Sequence, residues 1–101
     1  MPEDCYVGTL VYMSEHQDRK IIVERVQTGV RMEKRLLKVL KGLAELKDLT
    51  LGDLLEGIVL HAFEGKAPFS PGTLKEIEQL RKIYGLTLKA TDSHLLEERR
   101  P

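Results

Sequence analysis

The chain is poor in aromatic residues: three Tyr, two Phe and no Trp in 101 residues. Any core it builds must therefore be aliphatic, drawn from Leu, Val and Ile. A single cysteine, Cys5, excludes an intramolecular disulfide and makes a reducing interior the simple expectation. That cysteine reads as a small side chain near a loose terminus rather than as a reactive thiol. The longest apolar runs fall far short of the ~20 residues that a membrane-crossing helix requires. The opening MPEDCY is acidic where a secretory signal is basic and then apolar, so a cytoplasmic location is expected. The histidines His16, His61 and His94 lie in unrelated segments with no metal-ligand spacing among themselves or with Cys5, and no metal or other cofactor is expected. There is no Gly-rich phosphate loop, no nucleophile–base pattern and no supported pair of carboxylates, so an enzyme is not expected. Neither an internal repeat nor a low-complexity tract is present, and the length suits one domain.

An excess of one charge is also lacking overall, since 16 Lys and Arg balance 16 Asp and Glu. The balance hides an asymmetry. Residues 1–18 carry Glu3, Asp4, Glu15 and Asp18 and no base. Residues 19–41 carry Arg19, Lys20, Arg25, Arg31, Lys34, Arg35, Lys38 and Lys41 against only Glu24 and Glu33. A basic block in an otherwise acidic chain is a localised electrostatic footprint of the kind a phosphate-binding face needs. A solvated helix face would show the same charges, so charge alone does not decide.

Local pattern divides the chain into three parts: an N-terminal extension (1–20), a central unit (21–65) and a C-terminal helical extension with a tail (66–101). Tyr6 to Met13 and KIIVERV are both rich in β-formers, and a hairpin between them is one reading. From Ile22 onward the residues alternate. Ile22, Val26, Val30 and Met32 share one face with Glu24 and Thr28, while Arg25, Gln27, Gly29 and Arg31 share the other, as in a strand. A first helix follows from about Lys34 to Lys47. Its apolar half holds Leu36, Leu37, Val39, Leu40, Leu43, Ala44 and Leu46, and its other half holds Lys34, Arg35, Lys38, Lys41 and Glu45. Lys47-Asp48-Leu49 breaks it. Thr50 with Asp53 forms a capping-box pattern, and Leu49 with Leu54 a candidate hydrophobic staple, opening a second helix from about Leu51 to Phe63. That helix has a wide apolar side of Leu51, Leu54, Leu55, Ile58, Val59, Ala62 and Phe63, with Leu60 opposite. Gly57 in its middle signals either close approach of another helix or simple weakness, at roughly 1 kcal/mol relative to Ala. After KAPFSPG, TLKEIEQLRKIYG reads as a third helix with Thr73 and Glu76 as its capping box and Gly85 as its stop. LTLKATDSHLLEERRP suggests a short extended piece and a frayed charged end.

An isolated strand leaves backbone donors and acceptors unpaired, and a second copy of the chain is the natural partner. The order of strand, basic-backed helix, short turn and capped second helix resembles the ribbon-helix-helix repressors of the MetJ/Arc type, over about forty of the residues. The resemblance implies a mainly α fold with a short β-ribbon, completed by an intertwined homodimer. It implies a transcriptional repressor that places the ribbon in the major groove of double-stranded DNA, with two dimers on adjacent half-sites as an extension. Carried over by position, Arg25, Gln27, Gly29 and Arg31 would read bases. Gln pairs with adenine and Arg with guanine through two bonds, worth about 1–3 kcal/mol of discrimination each. Lys34, Arg35 and Lys38 would contact phosphates, and so would the backbone N–H groups of Thr50, Leu51 and Gly52. Val30, Met32, Leu36, Leu40, Leu43, Leu54, Leu55, Ile58 and Val59 would form the dimer core. Two positions depart from the family. Gly29 presents no side chain at the centre of the reading face and weakens or bulges a strand there. Glu33 replaces a frequent Pro at the start of the first helix, where an acid also suits the dipole. A second reading is a protein-interaction module, such as an antitoxin whose residues 66–101 bind a toxin, and a third is a dimer without DNA binding.

Overall fold

A computed structural model describes residues 20–99. Three α-helices carry the fold: α1 (Lys34–Leu46), α2 (Leu51–Phe63) and α3 (Pro71–Tyr84), followed by one 3-10 turn at Ala90–Asp92. The expected hairpin segment Tyr6–Met13 lies outside the described residues.

Each helix begins on a side-chain cap. The Glu33 carboxylate accepts from Leu36 N at 2.8 Å, which makes Glu33 the cap of α1 rather than its first helical residue. Thr50 Oγ1 accepts from Asp53 N at 3.1 Å and opens α2. Ser70 Oγ accepts from Thr73 N at 3.2 Å and opens α3, with Pro71 at the first helical position. The expected cap at Thr73 is thus displaced three residues upstream. Proline lacks only an N–H that has no intrahelical partner in the first turn, and its fixed φ suits that place.

All three helices close in the same way, on a left-handed residue with paired return hydrogen bonds. After α1, Asp48 (φ 58°) donates to Glu45 O at 3.2 Å and Leu49 N donates to Ala44 O at 2.8 Å. After α2, Gly65 donates to Ala62 O at 3.0 Å and Lys66 N to His61 O at 2.8 Å. After α3, Gly85 donates to Lys82 O at 3.3 Å and Leu86 N to Arg81 O at 2.8 Å. The third closure tucks Leu86 into the protein as a buried side chain. The tail is therefore anchored at its root.

α1 is the element on which both other helices pack. Leu43, only 1 % exposed, centres the core with Ala44 and Leu54, and Leu40, Ile58, Phe69, Ile77 and Leu80 surround it. α3 runs antiparallel to α1, and three pairs fix the register. Lys47 Nζ meets Glu76 Oε1 at 2.8 Å. A Cβ on Gly42 would stand 3.2 Å from Leu80 Cδ2 and 3.6 Å from Tyr84 Cε2. Arg35 Nη1 donates to Gly85 O at 3.4 Å. At Gly42 α3 packs closely on α1, and a side chain there would require Leu80 to shift.

The expected β-ribbon is overturned: the described residues form helices and irregular chain, with no strand and no sheet. Residues 20–33 carry the strand-like alternation but, among the described residues, meet no second segment with which a ladder could form, and a strand exists only through its ladder. The residues expected in a dimer core divide by burial within the single chain. Leu43 and Leu54 are buried within the single chain, and Leu40 and Ile58 pack against them, so they form an intrachain core. Leu55 and Met32 are half-buried, whereas Val30, Leu36 and Val59 are exposed. Of the residues expected at a contact between copies, these last three are the ones left on the surface.

Candidate nucleic-acid interface

The basic block resolves into two structural parts. Residues 20–33 form an exposed irregular arm, from which α1 departs with Lys34, Arg35, Lys38 and Lys41 on its exposed side. The spacing of 34, 38 and 41 stacks these lysines along one helix face. Among the described residues, none of these four cations has a carboxylate within ion-pair distance. Arg35 instead rests on the last carbonyl of α3's closing turn.

The two arm arginines are engaged. Arg25 grips Glu56 of α2 through two parallel bonds, Nε to Oε2 and Nη2 to Oε1, both 2.9 Å, with Asp53 Oδ1 3.8 Å from Nη2. These contacts hold the arm beside the first turns of α2. The hydrogen bond to Arg25 keeps the Glu56 carboxyl below its ordinary value, against a smaller opposing effect of burial. The same bond raises the Arg25 guanidinium, which stays charged under all ordinary conditions. Arg31 is held by Glu98 of the tail, with Nε 3.0 Å from Oε1 and Nη2 donating to Oε2. Both pairs are exposed, so their net contribution to stability is small and salt-sensitive.

The other sequence candidates divide. Gln27 is exposed in the arm. Gly29 is not in the left-handed region, and a Cβ there would meet nothing within 4 Å. At α2 the first intrahelical bond runs from Leu54 N to Thr50 O at 3.0 Å, and Thr50's hydroxyl takes the Asp53 N–H. The N–H groups of Leu51 and Gly52 stand ahead of that bond and lack helical acceptors. Around Gly52 a Cβ would find only Thr50 Oγ1, at 4.0 Å. This end is open enough for a phosphate. Asp53 and Glu56 oppose an anion there, and Arg25 offsets them.

Periodicity could not find the acidic partners. Glu56 lies 31 positions from Arg25, and Glu98 lies 67 positions from Arg31 in a stretch without helical or strand pattern. Such pairs depend on where the chain folds back. Among the described residues no cluster of three or more His, Cys, Asp or Glu could hold a metal, and no helix is long and apolar enough to cross a membrane. No protein-family model, curated protein or solved structure matches the chain.

Proposed function

We propose that this chain binds double-stranded DNA as a homodimer and acts in the cytoplasm as a transcriptional repressor, a binding role rather than a catalytic one. The observation that carries the proposal is the row of exposed cations on α1 (Lys34, Arg35, Lys38, Lys41) without carboxylate partners among the described residues. They continue directly into the arm that bears Arg25 and Arg31. Such a row of exposed cations is what a phosphate backbone recruits, through release of its condensed counterions. The open N-terminal turn of α2 supports the same reading.

From the ribbon-helix-helix resemblance the proposal keeps a dimer on DNA and leaves aside the β-ribbon. The support for a dimer is apolar surface. Ile22 is 97 % exposed, and Val26 and Val30 follow it along the arm. On α2, Leu60 and Phe63 are also exposed, Phe63 by 82 %. A second copy is the simplest cover for two such surfaces. In this reading Arg31 and Arg25 exchange their carboxylate partners for base edges, while Lys34, Arg35 and Lys38 hold phosphates. The antitoxin reading has less to stand on, because α3 is already folded against α1 around Gly42 and is not a segment waiting for a partner.

Electrophoretic retardation on promoter-length duplexes at increasing salt tests the proposal. Retardation at low salt that weakens steeply with salt is expected, and Arg31→Ala is expected to lose sequence preference while the protein remains folded and dimeric. No retarded band at low salt with the dimer intact refutes DNA binding. A variant that keeps full preference refutes the role of Arg31.

A further inference from the structure

We propose a second phosphate-binding surface at the C-terminal end of α3, made by Arg81, Lys82 and Lys89 together with Arg35 of α1, that holds the DNA backbone beside the arm-reading site. It rests on the DNA-binding function proposed above and extends its footprint to residues outside the basic block of the sequence.

The antiparallel register carries the inference. Lys47 at the end of α1 meets Glu76, Gly42 meets Leu80 and Tyr84, and Arg35 at the start of α1 reaches Gly85 O at 3.4 Å. The last turn of α3 is thereby brought to the end of α1 from which the arm leaves. A concavity of about 380 Å³ opens at this place, lined by Glu78, Arg81, Lys82, Gly85, Leu86, Thr87 and Lys89. Three of its side chains are cationic and one is acidic. Among the described residues none of the three cations forms an ion pair.

The ordinary role of cations in a last helical turn is to satisfy the terminal carbonyls and the negative end of the dipole. Here the backbone does much of that work. Arg81 O accepts from Leu86 N at 2.8 Å, Lys82 O from Gly85 N at 3.3 Å, and Gly85 O takes Arg35. Among the described residues, no carboxylate pairs with the side chains of Arg81, Lys82 and Lys89, which leaves them to an outside anion. Burial of Leu86 and the Lys89 N to Asp92 Oδ2 bond of 2.8 Å fix the loop that carries Lys89. Arg35, exposed on α1 with the lysine row, reaches this end of α3 at Gly85 O. An extended polyanion fits such a strip better than a single free phosphate does.

The test uses full-length protein and a fluorescent 40-bp mixed-sequence duplex, with anisotropy read from low to moderate salt. Charge removal at Arg81→Gln, Lys82→Gln and Lys89→Gln together is expected to flatten the plot of log K against log salt. The change is at least about 1.8, from one lost phosphate per chain of a dimer at about 0.9 each. Affinity at low salt should fall on the order of tenfold or more. Because Arg81 is half-buried, the double variant Lys82→Gln/Lys89→Gln provides a milder second reading, with helical content checked for both. Wild type that binds with the same slope as both folded variants overturns this surface and leaves DNA binding standing. Wild type that does not bind the duplex at all removes DNA binding itself, and with it this surface. Inorganic phosphate is the control probe. Saturable binding at micromolar phosphate, with no difference in DNA slope, assigns the concavity to a small anion and overturns the backbone assignment.

Discussion

Replacing Gly57 by Ala should stabilise the protein, although the residue sits in the middle of α2. A Cβ at Gly57 would meet nothing within 4 Å. The substitution therefore gains helix propensity, about 0.8–1.0 kcal/mol, with no steric cost inside the chain. In a domain of this size that corresponds to a rise of roughly 4–8 °C in Tm. Gly42→Ala provides the contrast. There the new methyl would lie 3.2 Å from Leu80 Cδ2, so Leu80 must give way and the same propensity gain is offset by crowding. Thermal unfolding followed by circular dichroism, at two protein concentrations tenfold apart, measures both. The expected order is Gly57→Ala above wild type, with Gly42→Ala gaining less than Gly57→Ala. Loss of stability in Gly57→Ala at every concentration would refute the open environment. A gain that disappears as concentration rises would place Gly57 in the contact between copies and so locate the dimer interface on α2.

Further outcomes follow from the packing and the charges. Leu43→Ala empties the most buried site of the core and should cost about 2–5 kcal/mol, read as a lower urea midpoint; a loss under 1 kcal/mol would contradict the central position of Leu43. Asp48→Gly should gain about 1 kcal/mol, since it relieves a left-handed non-glycine (φ 58°) and removes an acid from the negative end of α1; an unchanged or lower Tm would count against the strain. Glu56 has a folded-state pKa below its ordinary value, so its contribution is present above the ordinary glutamate range and fades as the pH falls through the depressed value. Glu56→Gln should flatten that acid-side slope of stability at low salt and make no difference at high salt; parallel curves at low salt would show that the Arg25 pair is not formed in solution.

The helices were legible because their signals are local. The apolar stripe of α1, the Lys-Asp-Leu break and the Thr50 cap lie within a turn or two of the elements they define, and α1 and α2 start where the pattern places them. Ser70-Pro71 outranked Thr73 as the start of α3 because a proline suits the first turn and a serine can cap it. The expected strand rested on a weaker signal. Alternation from Ile22 to Met32 sorts side chains into two faces, but a strand also needs a partner backbone, which no local pattern supplies. Which copy covers an apolar face is illegible for a related reason, and Leu43 and Leu54 are already buried within the single chain. An apolar stripe says that a face is covered and not which chain covers it. Among the candidate DNA contacts, the cationic face of α1 could be read from the sequence. The tie of Arg31 to Glu98, the approach of α3 at Gly42 and the reach of Arg35 to Gly85 could not, because each depends on how the chain returns on itself.

The central claim is a dimer on DNA, and the mass of the protein–DNA complex tests it most directly. Size-exclusion chromatography with light scattering, run on the protein alone and on its mixture with a short duplex at low salt, gives both masses in one experiment. Two chains in the free protein, and two or four on each duplex, are the expected values. A compact single chain at micromolar concentration, with the duplex eluting unaccompanied, would contradict the account.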